Sequence, residues 1–286
     1  MVARISDPDY FATTNGTLTL STTPRDSVRL SNVSVRTTLA ANQILTIGLT
    51  MQGGEKPVLL RAAGPSLSAF GVLGTMADPR LALFRDSTQV GFNDNWGGQS
   101  AVASAIAAVG AFPFATATSL DAALVASIAG GRTLQVSGPT AGNVIVEAYD
   151  VGTGDTPRLT NLSALNVVGV GSDVLVAGFT LAGIGTRTLL VRAAGPSLGT
   201  LGVPGTLGDP QLALFTATNP AVKIAENDNF AASLASAFTR VGAFAFAPGG
   251  KDAALLINLP AGGYTVHVSG VDGATGVAIV EVYEFP

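Results

Sequence analysis

The chain has 286 residues, 47% of them hydrophobic and 12% charged, with a net charge of −4. Its charged share is about half that of ordinary soluble domains, and its three lysines (Lys56, Lys223, Lys251) form no basic stripe, which argues against nucleic-acid binding. The absence of cysteine excludes disulfides and thiolate metal sites, and no apolar run approaches the roughly 18 residues that a transmembrane helix needs.

Residues 1–28 come first and have no counterpart elsewhere in the chain. The start, "MVARISDPDYFATTNG", lacks the apolar core of a signal peptide. Either the chain is intracellular or it is a mature or trimmed product; so few charges on so apolar a chain suit a shielded or assembled protein, which favours the second, and an extracellular or cell-surface location is expected. Within this extension, Thr17, Leu18, Thr19, Leu20 and Ser21 alternate apolar and polar as a strand does. This surplus strand either pairs at the edge of its own body or completes the sheet of a neighbour by donor-strand complementation. Repeated head to tail, the second arrangement generates an open filament.

From Arg29 onward the sequence is written twice. "RLSNVS" at Arg29–Ser34 returns as "RLTNLS" at Arg158–Ser163, and "RAAGPSL" at Arg61–Leu67 returns at Arg192–Leu198. "DAAL" at Asp121 returns at Asp252, and "VIVEAY" at Val144 is matched by "AIVEVY" at Ala278. Residues 29–157 and 158–286 are therefore copies of one unit, far too long for a solenoid repeat. The join, "DVGTGDTP", is short and ends in a stiffening proline.

Copy 1 contains "VLLRA", "RLALF", "TQVGF", "AALVASI", "TLQVSG" and "NVIVEAY", and copy 2 contains equivalents of each. These are short apolar or β-branched runs bounded by Gly, Pro, Asn or Asp. About eight such strands per copy predict an all-β protein of two tandem antiparallel β-sandwich domains, jelly-roll-like, on a stiff linker. One short helix per copy interrupts the pattern, with Val102, Ile106 and Val109, and then Leu234, Phe238 and Val241, at i, i+4, i+7 spacing.

Matched charges within the two copies carry structural meaning. Six pairs keep the same residue: Arg29/Arg158, Arg61/Arg192, Asp78/Asp209, Asp94/Asp228, Asp121/Asp252 and Glu147/Glu281. The arginine of "RAAGPSL" ends an apolar strand, so its guanidinium needs buried acceptors. Structural ion pairs are expected between Arg61 and Asp121 or Glu147, and between Arg192 and Asp252 or Glu281. The loops "FNDNWGG" and "ENDNFAA" place Asn93, Asp94, Asn227 and Asp228 in oxygen-rich turns. Such turns serve either as Asx turns or as calcium ligands. Calcium is the one cofactor the residues suggest.

The stretches "DPRLALFRDSTQVGFNDNWGG" with "DAALVASIAGGRTLQVSG", and "DPQLALFTATNPAVKIAENDNF" with "DAALLINLPAGGYTVHVSG", resemble bacterial pre-peptidase C-terminal domains. That resemblance implies a non-catalytic β-sandwich of secreted or surface proteins. Copy 1 departs from the family pattern at Arg132 and Leu134.

No catalytic constellation is evident. His267 is the single histidine and faces Gln135 in the copy comparison, and the chain has no G-x-S-x-G elbow, P-loop or H-E-x-x-H. A non-enzymatic extracellular structural protein is expected, self-associating into a homo-oligomer or homopolymer. Two alternatives remain. One is a polysaccharide-binding or adhesive module using Trp96 or Phe230, and the other is a C-terminal sorting appendage of a secreted protein.

Overall fold

The computed structural model describes residues 28–154 and 156–286, so the strand expected at Thr17–Ser21 lies outside the described residues. Copy 1 supplies β1 (Arg29–Leu39), β2 (Leu45–Ala63), β3 (Arg80–Arg85), β4 (Thr88–Asn93), β5 (Ala122–Ser137) and β6 (Gly142–Asp150). Copy 2 supplies the matching β7 (Arg158–Val168), β8 (Leu175–Ala194), β9 (Pro210–Thr216), β10 (Lys223–Asn227), β11 (Ala253–Gly270) and β12 (Gly276–Glu284). Among the described residues, the helices α1 (Ser100–Ala108), α2 (Pro196–Thr200) and α3 (Ala235–Val241) accompany the strands, with a few 3-10 turns.

Six strands per copy replace the expected eight because several runs fuse. "AALVASI" and "TLQVSG" are two halves of β5, and β2 extends far upstream of "VLLRA". The fused strands bend instead of ending. The β2–β5 register shifts between Met51 and Lys56, where Gly53 and Gly54 sit at φ 90 and 130, values that side chains with a Cβ rarely adopt. The β8–β11 register shifts between Pro260 and Gly262.

All twelve strands belong to one antiparallel sheet. The two-body arrangement expected from the repeat gives way to a shared one, because each copy lends strands to the other. The first half of β8 (Val176–Ala182) pairs with β1, and the first half of β2 (Thr46–Gln52) pairs with β7. The bends divide the sheet into two runs. One reads β5–β2–β6–β1–β8–β11–β9–β10, using the later half of β2 and the earlier half of β8. The other reads β11–β8–β12–β7–β2–β5–β3–β4, using the opposite halves.

A single apolar core joins the two runs. It takes Leu30, Val33 and Val35 of β1, Ile47 and Leu49 of β2, Leu162 and Ala164 of β7, Phe179 of β8 and Val280 of β12. Alternation along β1 (Leu30, Val33, Val35, Leu39) turns one face inward, as a half-buried strand requires. The later half of β2 is buried on both faces. Val58, Leu60 and Ala62 enter the shared core, whereas Leu59 and Ala63 pack outward beneath Val102 and Ile106 of α1. In copy 2, Leu190 and Ala194 pack beneath Phe238 of α3. Double burial is why these segments read as continuous apolar runs. It also places Arg61 and Arg192 between sheet and helix.

Candidate functional site

Arg61 is fully buried, on the outer face of β2. Its strand partner across the ladder is Glu147 of β6, with Nε–Oε2 at 3.5 Å. Nη1 donates to the Phe112 carbonyl at 2.8 Å, and the guanidinium lies 4.3 and 4.5 Å from the ring centres of Phe112 and Phe114. Nε and Nη2 of Arg61 make no hydrogen bond, so the rings and the nearby carboxylate carry the charge compensation. Arg192 is held more closely. Its Nε and Nη2 lie 2.9 and 2.6 Å from Glu281 Oε2, Nη1 donates to the Phe244 carbonyl at 2.6 Å, and Phe238, Phe244 and Phe246 surround it.

Each glutamate has a second partner. The Tyr149 hydroxyl donates to Glu147 at 2.6 Å, and Tyr283 donates to Glu281 at 2.7 Å. Burial raises the Glu147 carboxyl above its ordinary range, opposed by Arg61, and the same burial lowers Arg61. Burial and the adjacent carboxylates push both tyrosine phenols upward. The tyrosines escaped the sequence reading, although their signal was present. "E-x-Y" closes both copies.

Asp121 and Asp252 do not meet the arginines directly; they organise the turn after them. Asp121 accepts from the Gly64 and Ser66 amides at 2.8 and 3.3 Å, and from the Ser66 and Ser119 hydroxyls. Asp252 accepts from the Gly195 and Ser197 amides at 2.9 and 3.2 Å and from the Ser197 hydroxyl at 2.5 Å. A Cβ on Gly64 would lie 2.2 Å from the Met76 carbonyl oxygen, and one on Gly195 would lie 2.1 Å from that of Leu207. The repeated "RAAGPSL" is thus a buried arginine, a close backbone approach and a serine–aspartate lock, a structural unit throughout.

The Asn-Asp loops show turn chemistry. Asn93 accepts from the Ala123 amide and donates to the Asn95 carbonyl, both at 2.9 Å, and Asn227 repeats this with Ala254 and Asn229 at the same distances. Asp94 is half-buried and Asp228 exposed. Among the described residues no three acidic or histidine side chains gather as metal ligands. Trp96 is buried with its Nε1 donating to the Thr116 carbonyl at 3.1 Å, and Phe230 packs on Phe238 and Phe246. Both aromatics expected to stack on sugars therefore serve the interior instead. His267 stands on β11 beside Phe215, ring centres 4.7 Å apart, with the charge of Arg36 acting on it.

Among the described residues the sheet ends in two edge strands, β4 and β10. They differ. β10 carries Lys223 and Glu226, paired at 2.6 Å, whereas β4 ("TQVGFN") is uncharged and exposes Val90 and Phe92 at 47% and 53%. An uncharged exposed edge is a template for another strand.

No family model and no curated protein matches the chain. Two solved structures align along most of its length. The crystal structure of the STIV MCP aligns over 90% of this chain and 93% of its own, at 10% identity and a TM-score of 0.23. The 11S allergen from Cocos nucifera L. aligns over 90% of each chain, at 6% identity and a TM-score of 0.15. At those scores the backbones superpose poorly, and neither likeness bears on this chain's fold or function.

Proposed function

We propose that this protein is a non-catalytic extracellular structural element that self-associates through its sheet edge, with the N-terminal strand of one copy joining β4 of the next. The observation that supports this reading most is the contrast between the two edges. β10 is blunted by charge, whereas β4, which has one strand partner among the described residues, carries no charge and exposes Val90 and Phe92. Thr17–Ser21 has the matching character of an uncharged alternating strand. A donor strand entering a neighbour's edge repeats without closure, so the product is a filament or surface matrix. The resemblance to pre-peptidase C-terminal domains agrees with an extracellular setting.

Sedimentation velocity across a concentration series, with electron microscopy of the largest species, tests the reading. The full chain should form oligomers that grow with concentration. Deleting residues 1–24, or introducing V90K with F92K, should leave monomers. A full chain that stays monomeric at its highest soluble concentration overturns it.

A further inference from the structure

Two clefts of similar build open on the seams where one copy lends a strand to the other. The first, 510 Å³, is lined by Asn32 of β1, Tyr149 and Asp150 of β6, Thr180 of β8, Arg29, and Val109 and Gly110 behind α1. The second, 360 Å³, is lined by Asn161 of β7, Tyr283 and Glu284 of β12, Thr50 of β2, Arg158, and Val241 and Gly242 at the end of α3. Both volumes fall within the range of about 300–1,000 Å³ typical of small-ligand sites.

The floor of each cleft is one cross-strand row. Asn32 is directly opposite both Tyr149 and Thr180. Asn161 is directly opposite both Tyr283 and Thr50. Residues in such register lie side by side on one face of a sheet. Each floor therefore presents an aromatic ring, a carboxamide and a hydroxyl in line, all half-buried. The tyrosine hydroxyl is committed to Glu147 or Glu281, two residues along the same strand and on the same face, which fixes the ring in place. The amide is loosely used in copy 1, where Asn32 Nδ2 reaches its carbonyl acceptors only at 3.4 Å.

The arginines at the floor of each cleft face carboxylates, while Arg240 at the rim of the second lies over the Phe285 ring at 4.5 Å and donates to the Pro286 carbonyl at 3.2 Å. Arg29 lies 3.4 Å from Asp150, which also holds Lys56 at 2.7 Å, and Arg158 lies 2.7 Å from Glu284. The helix ends at the clefts are C-termini, whose partial charge is negative. At the floor, a phosphate or carboxylate would meet arginines that already face Asp150 and Glu284. A ligand rich in hydroxyl groups would instead find a donor and acceptor in the carboxamide, a hydroxyl partner in the threonine, and an apolar face in the ring.

We infer that the two clefts are twin binding sites for neutral hexopyranose units of a polysaccharide, one site per copy, each completed by a threonine from the other copy. Such sites go beyond self-association and do not depend on it. They would tie the protein to a glycan through two points on one rigid body.

Isothermal titration of the full chain with cellohexaose, chitohexaose, maltohexaose and mannohexaose, with hexagalacturonate as the acidic control, decides the matter. At least one neutral probe should bind at two sites per chain and hexagalacturonate at none. N32A or N161A alone should remove one site, and the double variant should weaken binding by about tenfold or more, the loss equivalent to one good hydrogen bond. T180V with T50V supplies the same readout should an asparagine variant fail to fold. No binding by any neutral probe at millimolar concentration, binding untouched by both double variants, or binding of hexagalacturonate alone overturns the inference. Oligomer formation by N32A/N161A separates this outcome from the fate of the edge-pairing proposal.

Discussion

Arg61 and Arg192 stand at matched positions, yet their surroundings differ in a way that stability measurements will register. Glu281 receives two close contacts from Arg192, whereas Glu147 meets Arg61 at 3.5 Å. Removing one partner of a buried pair strands the other charge, at a cost of about 3–5 kcal/mol. R192A should fall in that range by denaturant unfolding and R61A should cost less. R192M with E281Q should recover part of the loss, since no charge is then left uncompensated. His267 offers a pH test. Burial first, and then the charge of Arg36, lowers its pKa from the ordinary 6.5. The unfolded chain takes up a proton near that value and the folded chain only at lower pH. Stability is therefore full above pH 6.5 and falls as pH drops towards the folded value. H267Q, which installs the residue found at Gln135, should lose that component. The stability difference between variant and wild type should therefore grow in the variant's favour on acidification.

At the scale of elements, the turn after each arginine strand depends on a backbone approach that only glycine permits. G64A and G195A would drive a Cβ against the carbonyls of Met76 and Leu207. Each should destabilise by about 3 kcal/mol, the upper end of ordinary overpacking, and thermal melting of the two variants checks it. A melting temperature equal to wild type would mean that the turn relaxes freely. The motif was conspicuous in the sequence because it occurs twice. What it did was less legible. The guanidinium's carboxylate and the turn's carboxylate were not distinguishable before the register placed Glu147 opposite Arg61 and left Asp121 beneath the turn. The same holds for Asn93 and Asn227, whose oxygen-rich loops suited either a metal or a turn until the Ala123 and Ala254 amides were found on them.

For the whole molecule, exchange of strands between copies makes the two halves interdependent. β1 is flanked by β6 and β8, and β7 by β12 and β2, so separating the copies exposes one edge of each and opens the common core. Residues 29–157 expressed alone should not give a folded monomer, whereas co-expression with 158–286 should restore a one-to-one complex. Circular dichroism and sedimentation report both outcomes. The intact chain should unfold in one cooperative transition, as a single body does. Two separable transitions would restore the picture of independent units. The shared sheet also carries both clefts and both edge strands, β4 and β10, in one hydrogen-bonded framework.

Sequence alone determined the all-β character, the doubling of the chain, one helix in each copy and the burial of the arginine in each "RAAGPSL". Each of these follows from local periodicity or from direct comparison of the two copies, whereas the helix at Pro196–Thr200 and the buried Lys56, Asp150 and Glu284 carried no signal that was read. Only the tertiary structure decided that the copies share one sheet. An edge strand satisfies its backbone equally well against its own copy or the other, and two copies of one sequence carry no local mark of which partner is chosen. Long-range register alone made that choice. The twin clefts, built from residues on both sides of it, became visible only with it.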